Sequence, residues 1–579
     1  MLNTKSGDLD RTQLVVRHTG RNVFPNTPLF GKLVHFAHQQ PPRIAIRDVV
    51  AGSEKTHLEL LTDVLTLSHT IRATLGPALT ENEGATVCIG LLAPGGYEYI
   101  VALLAIVAVG ACAVPLSIHV SADEASYFVR KARCLSILVG SGATKLGDSL
   151  KLFLQRTGNA DVRFISAKVL PDSMGLRPSN LIISSDAYLD DNDPGLIIFT
   201  SGTTGPPKGA AMRRGFLYNT AVSVADYYHL TQGDVMLHIL PVHHATGIAI
   251  TLLPFLVTGA CVEFNSRSFD AAWLWNRWKE GGLTWFSGVP TIYMRMMRHY
   301  QQHLAKLPPK EVDMYVSGVR QLSGMLCGTS ALPRAMQQFW TDMRDGRPIW
   351  TRYGGTEFGA VLLVPPEVSG IPDGSVGEVF PGLDVKLSNG DEGEILVKSP
   401  HMFSKYIFDD QATKEAHDLE GYFKTGDIAR RVGSYFFILG RASLDIIKSG
   451  GYKISALDIE REMLELPYVA EVMVVGVPDE EFGQRVAAVV SLRREQGQSV
   501  HGEMAGGSTL TLDRLRKDLS DKLSRYKLPT ILRMVEGELP KSATGKVSKK
   551  QLGPRYFPPD YRSLPEVEVW INKKPQAKL

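Results

Sequence analysis

Apolar residues along the chain recur in two kinds of run. Short runs of branched and aromatic residues, bounded by glycine, proline or polar clusters, predict buried strands at 44–46, 86–92, 135–139 and 197–199. Longer stretches between them, at 59–75, 96–109 and 248–257, predict helices. Strand and helix alternating in this way predict a layered α/β architecture. The run 100–109 continues through 111–116, but Gly110 and Pro115 interrupt it. Its unbroken part is shorter than the ~20 residues a membrane helix needs, so it predicts a buried helix running into a buried strand.

The pattern then changes. Strand-like segments with glycine turns at 374–377, 385–387 and 393–397 predict a small β-barrel or sheet. From 455 the chain predicts a compact second α/β domain, with helices at 456–466 and 510–523 and strands at 472–477 and 486–492. The expected organisation is a lead-in (1–30), a large multi-subdomain α/β domain (31–440), a smaller mobile α/β domain (441–552) and a tail (553–579).

Composition narrows the class. A chain of 579 residues is too long for one core. It has 44% apolar and 21% charged residues, ordinary for a soluble enzyme. A formal charge of +3 gives no argument for nucleic acid or a membrane surface. Cys88, Cys112, Cys134, Cys261 and Cys327 are scattered without a CxxC pair, which predicts reduced, buried thiols in an intracellular protein and no zinc site. Asp8 and Asp10 argue against reading Arg11, Arg17 and Arg21 as a mitochondrial presequence. The final Ala577-Lys578-Leu579 varies the Ser-Lys-Leu address, so import by the peroxisomal receptor is expected, with cytoplasm or mitochondrion as alternatives.

The densest chemistry follows the strand at 197–199. Thr200, Ser201, Gly202, Thr203, Thr204, Gly205, Pro206, Pro207 and Lys208 combine hydroxyls, glycines and one lysine. Glycines let backbone N–H groups converge on an anion, hydroxyls add donors, and the lysine adds a point charge. A polyphosphate cradle is predicted. It is not the Walker loop, because no lysine is followed by Ser or Thr at the right spacing. His243 and His244, just before Thr246-Gly247, suggest a pocket wall. Tyr353, Gly354, Gly355, Thr356 and Glu357 offer a flat ring for a purine and oxygens for Mg²⁺ and phosphate. Asp427, at a glycine turn, suits ribose hydroxyls.

Taken together these segments resemble the adenylate-forming superfamily of acyl-CoA synthetases, adenylation domains and luciferases. The nearest subgroup resembles the malonyl-CoA synthetases, through 290–295 and 440–455. The resemblance implies roles residue by residue. The 200–208 loop would hold ATP phosphates, with Thr204 and Glu357 on Mg²⁺. Gly328, Thr329, Tyr353 and Gly354 would line adenine and the acyl group, and Thr356 would contact the α-phosphate. Asp427 and Arg441 would hold ribose. His244 would border the acyl site, while Arg295 would hold a distal carboxylate. The companion histidine of that subgroup is replaced by Thr246, and 321–327 looks insertion-like. Arg441 would open a hinge pivoting at Ser443 or Leu444. Gly450 and Gly451 would line a coenzyme A channel, and Lys546 would be the catalytic lysine.

The implied activity is an ATP-dependent carboxylate–CoA ligase working through an acyl-adenylate. A free-standing enzyme that loads a carrier protein, a luciferase-like oxidase and an inactive nucleotide-binding scaffold are the rivals. ATP, Mg²⁺, coenzyme A and a small carboxylic acid are the expected ligands.

Overall fold

The computed structural model describes residues 22–79, 86–169, 175–184, 189–200, 206–328, 332–366, 370–493, 503–504, 508–541 and 546–570. The loop residues 201–205, Thr329 and the terminal tripeptide 577–579 lie outside them.

Two sheets dominate the first part of the chain. Among the described residues, one is seven-stranded and centres on Cys88–Leu92 and Cys112–Leu116, which pair in parallel. Every residue of both strands is buried, as expected when helices cover both faces. The helix Tyr97–Ala108 joins them and is buried all round. It packs against His57–Leu75, whose start is fixed by a capping box between Thr56 and Glu59. The other sheet is nine-stranded and includes Val235–His238, Trp285–Gly288, Gly324–Cys327 and Trp350–Gly355. Within the insertion-like segment 321–327, Gly324–Cys327 is a core strand flanked by parallel neighbours.

A four-stranded antiparallel sheet follows, ordered Asp384–Leu387, Glu392–Lys398, Phe423–Val432 and Tyr435–Arg441. The last domain builds its sheet around Gly483–Leu492, with Val469–Asp479 and Ile531–Val535 on either side. Its core includes Ile459, Met463, Val474, Val490 and Leu515.

Three expectations need correction. The stretch 248–257 is not one helix. It is split into Ala245–Ala249 and Leu253–Val257, because Pro254 cannot donate the bond that would continue the first turn. The lead-in already carries structure: Val23–Phe24 pairs with Ile182–Ile183, and Pro28–Ala37 is helical. The predicted tail is folded as far as 570. Val567–Val569 adds an antiparallel strand beside Ile531–Val535, and Phe557 and Tyr561 are buried. Alternate apolar residues there are too few for their strand to stand out by pattern.

The five cysteines are free and buried. Among the described residues, no helix is long and apolar enough to cross a membrane.

Candidate active site

The strand Pro194–Thr200 turns back antiparallel into Lys208–Arg213, so Thr200 and Lys208 face each other across the hairpin. The candidate phosphate loop therefore joins two strands. Its base is tied down where the Tyr127 hydroxyl donates to the Pro207 carbonyl at 2.9 Å. Lys208 lies over the Tyr406 ring, 5.1 Å from its centre.

A second hairpin brings Glu357 to the same place. It joins Trp350–Gly355 to Gly359–Leu363. Gly354 is required there, since a Cβ would lie 2.2 Å from the Gly359 carbonyl oxygen. The Glu357 carboxylate accepts from the Tyr406 hydroxyl at 2.8 Å and the Thr200 hydroxyl at 3.4 Å.

The four-stranded sheet supplies the third part. Asp427 and Arg441 are register partners on neighbouring strands. Arg441 Nε donates to Asp427 at 2.7 Å, and the Tyr353 hydroxyl donates to the other oxygen at 2.8 Å. The bond to Asp427 raises the Arg441 pKa, while burial, then Asp427, raises that of Tyr353.

His244 precedes the short helix Ala245–Ala249, with the His243 ring 4.4 Å away. Burial and nearby Lys546 push the His244 pKa down to about 4. His244 is therefore neutral at pH 7. Lys546 comes from the last domain and keeps solvent-accessible surface, but it sits between protein walls. That desolvation lowers its pKa, and Arg441 lowers it further against the pull of Asp427 and Asp445.

These groups meet in one cleft of about 1600 Å³. Thr200, Lys208, His244, Tyr353, Gly354, Thr356, Glu357, Asp427, Arg441 and Lys546 line it, as do Gly328 and Arg295. Two placements differ from a simple transfer of motif roles. Arg295 is paired with Glu538 of the last domain at 2.7 Å. Gly450 and Gly451 form a hairpin tip with φ of +55° and +85°, and neither lines this cleft.

Several site neighbours carry no signal in the sequence. Lys549 Nζ reaches Asp445 at 2.5 Å and Glu460 at 2.8 Å, and Asp445 also accepts the Arg441 N–H at 2.9 Å. Although burial opposes its charge, Glu460 and Asp445 raise the Lys549 pKa. This knot ties the segment after Lys546 to the turn after Arg441. That turn, in which the Leu444 and Asp445 N–H groups donate to the Arg441 carbonyl, contains both expected hinge positions.

A cleft that gathers hydroxyls, two lysines and an arginine–aspartate pair from two domains can hold a nucleotide and neutralise charge building on a phosphorus centre. The comparisons agree. Residues 33–407 match the AMP-binding enzyme family, and 458–546 match the AMP-binding enzyme C-terminal domain. The acyl-CoA ligase oryP of Aspergillus oryzae is 32% identical over 546 residues, covering 93% of each chain. The mitochondrial malonate–CoA ligase ACSF3 of Mus musculus is 31% identical over 605 residues, covering 96% of this chain and 97% of its own. In fold, the chain resembles ATP-bound MatB from Rhodopseudomonas palustris, with a TM-score of 0.75, 24% identity and coverage of 94% and 100%. By matched domains, relatives and fold, the chain belongs to the AMP-binding enzyme family.

Proposed function

We infer that the protein is an ATP-dependent carboxylate–CoA ligase that forms an acyl-adenylate and then an acyl-CoA thioester. One observation carries the assignment of residues. Lys546, from the last domain, lies in the same cleft as Thr200, Lys208, His244 and Asp427 of the first and Arg441 at the boundary between them.

In the first half-reaction a carboxylate oxygen attacks the α-phosphorus of ATP, and the bond to pyrophosphate breaks. The barrier is repulsion between anions and charge growing on phosphate oxygens. Lys208 and Lys546 offset that charge, and Lys546 also aligns the two reactants. Asp427 accepts from the ribose hydroxyls, with Arg441 holding its carboxylate in place. Neutral His244 packs beside the acid without adding charge. A Mg²⁺ held by Glu357, phosphates and water would neutralise phosphate charge, and a single carboxylate suits that ion, which keeps much of its hydration.

In the second half-reaction the thiol of coenzyme A loses its proton and attacks the acyl carbon. The carbon–sulfur bond forms as the mixed anhydride breaks and AMP leaves. The Gly450–Gly451 tip stands outside the cleft that holds Lys546, so the last domain must rotate about the 441–445 turn to bring it in.

The acid is proposed to carry a second anionic group, and Arg352 is the reason. It is only 8% exposed, and its Nη1 has no hydrogen-bond partner among the described residues. Among the described residues its Nη2 donates to the Ser287 hydroxyl alone, at 3.4 Å. Thr220 Oγ1 and Tyr228 Oη are likewise buried without partners among the described residues. By contrast, fully buried Arg344 donates to the carbonyls of Leu322, Arg347 and Pro348. A buried guanidinium without an acceptor is costly, and a ligand carboxylate would relieve it. Arg352 and Thr220 both line the cleft. Malonate, the acid in the name of the ACSF3 relative, is of this class. That relative's name also favours a mitochondrial location over a peroxisomal one.

The test is CoA-dependent AMP release with malonate, methylmalonate, butyrate, octanoate and benzoate. Preference for the two diacids is expected. Equal or better use of monocarboxylates would overturn the substrate class. Acyl transfer only to a carrier protein, without CoA-dependent AMP release, would overturn the ligase reading.

A further inference from the structure

Arg295 is the group expected to hold a substrate carboxylate, yet it already holds a protein one. It lies on the helix Pro290–Gln302, and its Nη2 donates to Glu538 of the last domain at 2.7 Å. The contact spans 243 residues of sequence and crosses the cleft. Around it, Lys541 Nζ reaches Glu538 at 3.3 Å and Glu471 at 2.5 Å. Glu471 also accepts the Leu539 N–H at 2.8 Å. One turn along the helix, Arg298 donates to the Ala470 carbonyl at 3.1 Å. Both arginines of this helix thus grip the last domain.

What they grip is the base of the segment that carries Lys546. Lys541 and Val547 form an antiparallel bridge, and Lys546 adjoins it in the chain. Glu538 precedes that bridge and is joined to it through Lys541. A continuous path of contacts therefore runs from the helix of Arg295 to Lys546. Met294, on the same helix as Arg295, lines the cleft.

We propose that Arg295 and Glu538 are positioning residues, forming an interdomain latch that holds Lys546 in the pose for adenylate formation. This rests on the ligase reading above. The latch must open before the last domain can rotate, so it acts on the first half-reaction and not on the second. Side-chain exposures of 43% and 45% make it a weak, salt-screened pair, as a contact broken in every turnover must be.

The experiment compares full-length wild type, R295Q, E538Q and the double variant. Because both side chains are exposed, none of these should impair folding. ATP–pyrophosphate exchange is measured with malonate and with butyrate. Thioester formation is measured from a supplied adenylate of whichever acid the wild type activates. Each single variant should lower exchange by about 3- to 5-fold, the scale of an exposed ion pair. The double variant should be no slower than either single, and the supplied adenylate should be consumed at least as fast as by wild type. Raising salt should slow exchange in wild type but not in the double variant. Multiplying single effects, or a neutral E538Q beside an R295Q that raises only the KM for malonate, would overturn the latch and return Arg295 to the acid. A wild type without exchange on any acid would overturn the ligase reading, and the latch with it.

Discussion

Replacing Arg352 by methionine separates function from stability in a way few substitutions do. Arg352 is 8% exposed, and among the described residues its guanidinium has no carboxylate partner and one long bond to Ser287. Leaving such a charge unpaired costs several kcal/mol, and apolar replacement of buried charges often stabilises by about 1–4 kcal/mol. Methionine has a similar length and should fill the space at a cost under about 1.5 kcal/mol. The net expectation is a fold as stable as wild type or more so, by about 1–2 kcal/mol. Activity should move the other way. Removing one partner of a buried charge pair costs about 2–5 kcal/mol, or roughly 30- to 4000-fold in kcat/KM for a diacid. Thermal denaturation with and without malonate, plus pyrophosphate exchange with malonate and butyrate, reads both. Malonate should raise the Tm of wild type and leave R352M unmoved. A variant that is less stable, with an unchanged ratio of the two acids, would show that Arg352 only supports the fold.

Two further outcomes follow from the site and the core. Burial pushes the pKa of His238 down to about 4, so the fold favours its neutral form. The unfolded chain binds that proton below about pH 6.5, so stability should be full above that value and fall toward pH 4, by about 2 kcal/mol at pH 5 for this residue. Buried His57 adds to the loss in the same window, and chemical denaturation from pH 4.5 to 7.5 would reveal a flat profile if these rings were charged in the fold. D427N keeps the shape but removes the charge that receives Arg441 and Tyr353. The KM for ATP should rise about 10- to 100-fold, matching the roughly 1.5–3 kcal/mol of a charged hydrogen bond, and an unchanged value would remove Asp427 from the nucleotide site.

Much of the fold was legible wherever burial leaves apolar runs of distinct length. Helices His57–Leu75 and Tyr97–Ala108, and strands such as Cys88–Leu92, follow from long and short apolar runs bounded by glycine, proline or polar residues. The split at Pro254 was also written in the chain, but a continuous apolar run masked it. The strand Val567–Val569 was not legible, because three residues at a sheet edge leave too little pattern.

The site was legible as motifs and illegible as geometry. Asp427 and Arg441 stand out in separate strings, yet only strand register makes them partners. Tyr406, which holds Glu357, lies on a two-residue strand without a motif. Arg352 reads as the first letter of a familiar string, and only the folded chain leaves its Nη1 buried without a partner among the described residues. Glu538 looks like any exposed acid until the last domain docks against the helix of Arg295.

The central claim is that one lysine, delivered by the last domain, serves the first half-reaction and not the second. Lys546→Ala, assayed separately for pyrophosphate exchange and for thioester formation from a supplied acyl-adenylate, tests it most directly. Exchange should be abolished while thioester formation is largely retained. Survival of both half-reactions, or equal loss of both in a folded protein, would contradict the account.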